Sequence, residues 1–265
     1  MSAVSTSHPV ATAVGARVLA DGGNAVDAAV AATWALAVCE PSGSGVGGQA
    51  YLVVARRDGT AHSVDGDGRA PATAARRTIS PPQQRQGVRA TTVPTMPAVL
   101  GRAHARWGRL PWADLLAPAV ALAQNGFGVT HGESLRLGRV LRAVRTDPAT
   151  AGTYLVDGRS PRAGERLRLP ALARTLERLA ADGSDDLYAG RCAALLLGDQ
   201  EARGGLVTTG DLLATVGAVR ERPALVVRRK GLDVATLATG GGVALLLALA
   251  SLARRRPGAD PGERR

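Results

Sequence analysis

Two long apolar segments, separated by Gly22-Gly23, open the chain and predict a pair of helices. The first runs from Pro9 to Ala20 and ends at the glycines, which readily take the left-handed conformation beyond a helix C-terminus. Asn24 is a favoured N-cap for the second helix, and Asp27 places an anion in its first turn. From Ala25 to Val38 this helix is apolar on every face, so we expect it to be buried on all sides.

The pattern then changes to that of short strands. Pro41 to Gly48 is a glycine-rich turn, and the next segment, Gln49 to Arg56, predicts a strand. Asp58-Gly59 is a hairpin signal that leads to a second strand over Thr60–Val64. The polar, proline-containing stretch from Ala75 to Arg89 predicts a loop.

Helical periodicity returns in the middle of the chain, and a second hairpin is predicted near its end. The predicted helices are Pro97–Arg106, Trp112–Gln124, His131–Val144 and two helices within Leu172–Ala202 around Asp182-Gly183. The hairpin joins Ala224–Val227 to Leu232–Leu237 through Lys230-Gly231, and a final apolar helix follows.

The composition is that of a globular chain with a core of small apolar side chains. The 265 residues are 45% hydrophobic and 21% charged, which excludes wholesale disorder and a collagen-like repeat. Aromatic residues make up only 3%, so Ala, Leu and Val must fill the core. The length fits between one and two ordinary domains.

The net charge of +11 is carried almost entirely by arginine and first suggests a nucleic-acid partner. Its distribution argues against one. Residues 1–50 contain a single basic residue, Arg17, against Asp21, Asp27 and Glu40, and the other arginines are scattered without aromatic residues that stack on bases. We therefore expect no nucleic-acid partner.

Cysteine and histidine positions predict neither a metal site nor a bound cofactor. Cys39 and Cys192 lie in apolar surroundings and should be buried, reduced thiols. The four histidines are dispersed, without the spacing that zinc ligands need; they are His8, His62, His104 and His131.

Two short patterns could serve a ligand. Gly43-x-Gly45-x-x-Gly48 matches a dinucleotide-binding fingerprint, but it follows a helix and opens a strand, which reverses the order that the fingerprint requires. Asp65, Asp67 and Arg69 form a charged cluster beyond a strand end, consistent with either a hydrogen-bonded turn or an anion-recognition site.

The termini bear on localisation. Met1–Gly15 has neither a basic segment nor an unbroken apolar run, so no signal peptide is predicted and a cytoplasmic location is expected. Ala235–Ala253 is uncharged and precedes three arginines, as in a tail anchor, which remains an alternative. Gly240–Gly242 interrupts that segment and leaves about eleven apolar residues, a length that favours a buried core helix and makes a membrane partner the weaker interpretation.

Several segments, taken in order, resemble the large-subunit portion of gamma-glutamyltransferases, a family of N-terminal nucleophile hydrolases. They extend over nearly everything from Ser5 to Leu252. The matching segments are Ser7-His-Pro-Val-Ala-Thr12, Gly22-Gly-Asn-Ala-Val-Asp-Ala-Ala29, Glu40-Pro-Ser-Gly-Ser-Gly-Val-Gly-Gly48, Gly108-Arg-Leu-Pro-Trp-Ala-Asp-Leu-Leu-Ala-Pro-Ala119, Asn125-Gly-Phe127, Asp211-Leu212 and Gly241-Gly-Val-Ala-Leu-Leu246.

The resemblance implies an α+β fold, a layered αββα sandwich, with this chain as the large-subunit half and its helical periphery. It also implies transfer or hydrolysis of a γ-glutamyl amide by a threonine that autoproteolysis exposes, whose own amine acts as base. Neither Thr91-Thr92 nor Thr208-Thr209 resembles the processing site, so no catalytic residue is assigned here. A small subunit carrying the threonine is the expected partner.

The substrate-binding arginine that the resemblance implies is displaced. The family pattern is Asp, any residue, Arg, Glu and then Ala-Pro, whereas this chain has Asp65-Gly66-Asp67-Gly68-Arg69-Ala70-Pro71. Asp67 occupies the arginine position, and Arg69, two residues later, is the candidate substrate-binding residue. Specificity for glutamate is therefore an open question at this stage.

The sequence leaves three interpretations. The chain is a large-subunit-like half that needs a small subunit, a member with an altered substrate in specialised metabolism, or a catalytically inactive truncated remnant or scaffold. Residues 1–253 are expected to form the large-subunit-like region. Residues 254–265 are expected to form a disordered basic tail, and the abrupt change at Arg254-Arg-Arg-Pro-Gly258 favours truncation.

Overall fold

The structure is a computed structural model that describes residues 2–229 and 231–254. Its helices are α1 (Pro9–Ala20), α2 (Ala25–Cys39), α3 (Met96–Trp107), α4 (Trp112–Asn125), α5 (His131–Arg139), α6 (Leu141–Arg145), α7 (Pro148–Tyr154), α8 (Pro170–Asp182), α9 (Asp186–Ala189), α10 (Arg191–Ala202), α11 (Thr209–Ala218) and α12 (Gly240–Arg254). Its strands are β1 (Ala50–Ala55), β2 (Ala61–Gly66), β3 (Phe127–Gly128), β4 (Arg166–Leu167), β5 (Arg220–Pro223), β6 (Leu225–Arg229) and β7 (Leu232–Thr236). The predicted α+β class is confirmed.

The chain divides into two compact units. The helical unit comprises residues 2–50 and 66–219, and the strand unit comprises residues 51–65, 220–229 and 231–254. Residues 255–265 of the predicted tail lie outside the described residues, whereas Arg254 is the last residue of α12.

Helix α2 is the centre of the helical unit, because α1 and α4 both pack against it. The prediction that it is buried on all sides is confirmed: within α2 only Ala25 is exposed. Its N-terminus is a capping box in which Asn24 Oδ1 accepts from the Asp27 amide and Asp27 Oδ2 accepts from the Asn24 amide. The fully buried Asp27 also accepts from the backbone amide of Arg109 at 2.9 Å, which ties α2 to the start of α4.

Two predicted helical segments are more broken than expected. The helix predicted over His131–Val144 is interrupted at Val140, whose amide bonds to Leu137 O and so tightens the last turn of α5 beside Gly138. The segment predicted to hold two helices holds three. Asp186 causes the extra break, because its carboxylate accepts from the amides of Arg191 and Cys192 and so starts α10.

The strand unit contains a three-stranded sheet in the order β1-β2-β5 and a separate β6-β7 hairpin. Strand β5, which the sequence did not predict, pairs antiparallel with β2, with His62 opposite Pro223 and Asp65 opposite Arg220. The predicted second hairpin is confirmed, with Leu225 opposite Thr236. Its predicted turn residue Lys230 lies outside the described residues.

Helix α12 begins within the glycine triplet instead of after it. A Cβ on Gly242 would lie 2.2 Å from Leu237 O, so glycine permits a close approach of two backbone segments there. Among the described residues, no helix has the length and apolarity needed to cross a membrane.

Candidate functional site

The glycine-rich segment 41–49, here called the glycine loop, is shaped by the end of α2. The carbonyl of Glu40 accepts from the amides of Gly43 and Ser44, at 3.0 and 2.8 Å, and forms a tight turn. The Gly48 amide donates to Gly45 O at 2.9 Å and closes a second turn. The loop follows a helix and leads into β1, which confirms the order that argued against a dinucleotide fingerprint.

A buried carboxylate holds the loop from one side. Glu133, in the first turn of α5, is fully buried, and its two oxygens accept from the Ser42 amide at 3.0 Å and the Ser42 hydroxyl at 2.6 Å. Arg136 donates from Nη2 to the same carboxylate at 3.1 Å and from Nε to Ser42 Oγ at 2.8 Å. We call Ser42, Glu133 and Arg136, together with Glu40, the carboxylate clamp.

Glu40 completes this clamp. Its Oε1 accepts from Arg136 Nη2 at 2.5 Å and its Oε2 accepts from the Ser7 hydroxyl at 2.5 Å. The neighbouring His8 is almost fully buried; burial lowers its pKa, and the charges of Glu40 and Glu133 oppose that shift. The two buried carboxylates therefore share one guanidinium and join the chain before α1 to α2 and α5.

The opposite side of the loop is held by α3. Gly48 O accepts from the amides of Thr95 and Met96, both at 3.0 Å. Thr95 Oγ1 donates to Gly66 O at 2.5 Å, which brings Gly66 next to the start of α3. A Cβ on Gly66 would lie 2.3 Å from Val99 Cγ2, so only glycine fits between the strand end and the helix.

A cavity of about 370 Å³ opens where these segments meet. It is lined by the glycine loop together with Thr33, Ala37 and Met96. The amides of Gly45 and Gly47 donate no hydrogen bond within the part of the chain that the structure describes, and both Cα atoms face open space. Free backbone amides in the lining of a cavity can bind an oxyanion or a carboxylate.

The cavity contains no activated nucleophile among its described lining residues. Ser42 Oγ donates to Glu133, and Thr33 Oγ1 donates to Ala29 O at 2.7 Å. None of its lining hydroxyls is hydrogen-bonded to a histidine or a lysine. The hydroxyls of Ser42 and Thr33 are thus engaged as donors within the protein.

Arg69 and Asp67 lie beside this cavity, both exposed. Between them, Gly68 abuts Gln49, since a Cβ there would be 2.0 Å from Gln49 Nε2, and Gln49 lines the cavity. The Arg69 carbonyl accepts from the Val93 amide at 3.0 Å, which fixes the backbone of this turn. The role of Arg69 in substrate binding stays a prediction.

The other residues singled out in the sequence have structural positions. His8 Nδ1 accepts from the Val10 amide at the start of α1, and His104 Nε2 lies 2.8 Å from Leu110 O. Cys39 and Cys192 are buried and free, as predicted, and burial raises the pKa of each thiol to about 12. No grouping of metal-ligating side chains occurs among the residues the structure describes.

The carboxylate clamp was missed by sequence reasoning. Thr130-x-x-Glu133 has the form of a local capping box, and Thr130 Oγ1 does accept from the Glu133 amide at 3.2 Å. The Glu133 side chain, however, contacts Ser42, 91 positions earlier in the chain. The local pattern predicts a capping role for Glu133 and does not indicate that its side chain is buried.

Comparison with known proteins agrees with this geometry. Over 98% of this chain, the fold matches the crystal structure of Helicobacter pylori gamma-glutamyltranspeptidase, with a TM-score of 0.92 and 26% identity, and covers 77% of that chain. The fold is therefore that of the large-subunit half of an N-terminal nucleophile hydrolase sandwich. A sequence profile of the gamma-glutamyltranspeptidase family matches residues 11–260, and the chain belongs to that family.

Curated relatives extend the comparison. The chain is 34% identical over 251 residues to the glutathione hydrolase proenzyme of Pseudomonas aeruginosa, covering 92% of this chain and 44% of the relative. It is 35% identical over 222 residues to the acylase ACY 1 proenzyme of a Pseudomonas species, covering 79% of this chain and 40% of the relative. The chain thus spans less than half the length of these curated relatives.

Proposed function

We propose that this chain is the large-subunit-like half of an amide hydrolase or acyltransferase, whose small subunit supplies the attacking threonine. The observation that carries this proposal is the match of 98% of the chain to a gamma-glutamyltranspeptidase fold at a TM-score of 0.92. The small subunit would come from a longer precursor or from a separate gene. Both curated relatives named above are called proenzymes, which supports a cleaved precursor.

In this proposal the threonine hydroxyl attacks the amide carbonyl and forms an ester, while the amine leaves with a proton. Water or an amino acid then attacks the ester, which releases the acyl group and restores the hydroxyl. The glycine loop contributes binding and orientation. The free amides of Gly45 and Gly47 would hold an anionic group of the substrate while the carboxylate clamp keeps the loop rigid.

The strand unit provides the surface for the partner. Most of the large hydrophobic side chains that are exposed in the described residues belong to this unit, and on α12 they include Leu245, Leu247 and Leu252. Apolar surface of this kind marks an interaction site. A small subunit, corresponding to the remaining length of the relatives, is the occupant we propose for it.

The identity of the acyl group depends on the turn at Asp67. A γ-glutamyl substrate carries a carboxylate that an arginine would hold, but here an aspartate stands first and Arg69 follows two residues later. We propose that Arg69 contacts the substrate. We also propose that Asp67 changes the substrate preference of the complex, from γ-glutamyl groups to acyl groups that place no negative charge near Asp67. The relatives include both a glutathione hydrolase and an acylase, so the family accommodates different acyl groups.

Co-expression tests the main proposal. The full chain would be produced with the nucleophile-bearing segment of the Pseudomonas aeruginosa relative, and that relative's own large segment would serve as the positive control. We expect a stable complex that cleaves an amide panel including γ-glutamyl-p-nitroanilide, and no cleavage when the segment's first threonine is replaced by alanine. A complex without activity on any amide would favour the remnant interpretation, and activity of the chain alone would contradict the proposal.

Charge reversal tests the specificity proposal within that complex. Asp67→Arg should lower the KM for γ-glutamyl-p-nitroanilide about tenfold or more, because a bidentate guanidinium–carboxylate contact is gained. The matched control is Asp182→Arg, at the exposed end of α8, which should leave the KM unchanged. Equal effects of the two substitutions would show a general charge effect and exclude a site at Asp67.

A further inference from the structure

A second cavity lies in the helical unit, apart from the glycine loop. Its volume is about 440 Å³, within the roughly 300–1,000 Å³ typical of small-molecule sites. It is bounded by the segment 72–90 on one side and by the connection from α10 to α11 on the other. No step of the proposed reaction uses it.

Hydrogen bonds hold the two sides together. Thr73 Oγ1 donates to Leu206 O at 2.7 Å, and the Ala72 amide donates to Asp211 Oδ1 at 2.8 Å. Arg89 Nε donates to Gly204 O at 3.1 Å and so directs its guanidinium along the cavity wall. These contacts fix the shape of the cavity before any ligand arrives.

The buried side chain of Gln200 has an amide group that can donate to a ligand. Gln200 is only 5% exposed and lines the cavity, and its Oε1 accepts from the Val207 amide at 3.3 Å. Glycine at position 205 leaves room for the Gln200 side chain, since a Cβ there would lie 2.1 Å from Gln200 Oε1. Gln200 Nε2 donates to no acceptor in the described residues and is therefore available to a ligand in the cavity.

The charges around the cavity favour an anion. Arg77 and Arg89 both line it, and neither has a carboxylate within ion-pair distance among the described residues. Glu201 is the acidic side chain in the lining and is exposed. The nearby Asp211 is engaged by Thr208 and by the Ala72 amide, so it does not neutralise the arginines.

We propose that this cavity binds a small oxyanion, a phosphate or a carboxylate group, through Arg77, Arg89 and Gln200 Nε2. Guanidinium groups match the paired oxygens of both anions, and the amide of Gln200 adds a neutral donor from the floor of the cavity. The site is independent of the proposed amide chemistry, because it shares no residue with the glycine loop.

Calorimetric titration of the full chain with inorganic phosphate and with succinate, at low ionic strength, tests the proposal. We expect saturable binding of one equivalent of at least one probe, weakening as salt is added. The tighter probe identifies the group as a phosphate or a carboxylate. Arg77→Met and Gln200→Glu should each weaken binding about tenfold or more, and Gln200→Glu keeps the acceptor for Val207.

Arg85→Met is the matched control, because Arg85 is exposed on the same segment and lies outside the cavity lining. It should leave binding unchanged. Absence of saturable binding of either probe, or equal weakening by Arg77→Met and Arg85→Met, would overturn the proposal. Arg77 is itself exposed, so its substitution should not unfold the chain, and thermal unfolding of each variant checks this.

Discussion

The helical unit and the strand unit treat their apolar and polar groups differently. In the helical unit many large side chains are fully buried, among them Trp34, Leu116 and Tyr188, and the buried carboxylate of Glu133 accepts hydrogen bonds from Ser42 and Arg136. In the strand unit Leu232 and Leu247 are 69% and 65% exposed. One unit buries its own core, while the other leaves apolar surface in water.

The two units therefore differ in how completely each one buries its apolar side chains. The helical unit carries a self-sufficient core and a preformed cavity at the glycine loop. The strand unit leaves several large apolar side chains exposed among its described residues, which is typical of an interaction surface. Substitutions in the two units should therefore have contrasting effects.

Truncation of one leucine in each unit gives the largest contrast. Leu116→Ala should lower the free energy of unfolding by about 3 kcal/mol, because it leaves a cavity in a closed core. Leu247→Ala, at an exposed position, should change it by less than about 0.5 kcal/mol. Denaturant unfolding of both variants measures this, and equal costs would mean that the units do not differ as described.

Removal of the buried carboxylate should come next. Glu133→Ala leaves the Ser42 amide without its acceptor and removes one of the two carboxylates that share Arg136, so it should lower the free energy of unfolding by about 2–3 kcal/mol. Glu177→Ala, on the exposed face of α8, is the control and should have little effect. If Glu133→Ala changes the free energy of unfolding as little as the control does, the carboxylate clamp does not stabilise the glycine loop.

A pair of glycine substitutions tests the close contact of Gly66 with α3. Gly66→Ala should cost about 1–3 kcal/mol of unfolding free energy, since its Cβ would meet Val99 and Ala50 O. Gly45→Ala has open space around its Cβ and should be tolerated. Thermal unfolding distinguishes the two, and a stable Gly66→Ala variant would contradict the close approach.

The smallest expected effect comes from the half-buried ion pair of Arg159 and Glu165 in the helical unit. Hydrogen bonds from Arg159 and from the Arg162 amide lower the pKa of Glu165 to about 2. A carboxyl whose folded pKa is depressed stabilises the fold above its unfolded pKa, and that stabilisation is lost as pH falls toward about 2. Arg159→Met should raise the pKa of Glu165 toward its ordinary range, measured by NMR titration, with little change in stability at neutral pH. An unchanged pKa would exclude Arg159 as the cause.

Elements with local signals were predictable from the sequence. The N-cap Asn24, the terminating glycines and the Asp58-Gly59 turn each determine structure within a few residues, so α1, α2 and the first hairpin were assigned correctly. Strand β5 was missed because Arg220–Pro223 is charged and ends in proline, and its pairing with β2 defines it. Helix α7 was missed as well, although Asp147 caps it.

The candidate site was predictable only in part. The glycine loop stood out by composition and by family resemblance, and it does line a cavity. The carboxylate clamp depends on a contact between α5 and residues 91 positions earlier, which no local pattern encodes. Arg69 was singled out by the family pattern. Its role in substrate binding stays a prediction, which the complex with the small subunit can test.

Hydrogen exchange on the isolated full chain tests the contrast between the two units most directly. The account predicts slow exchange for the amides of α2 and for the Ser42 amide, which Glu133 binds, and much faster exchange for β6, β7 and α12. If the amides of α12 exchange as slowly as those of α2, the strand unit is complete in itself and the need for a partner is contradicted.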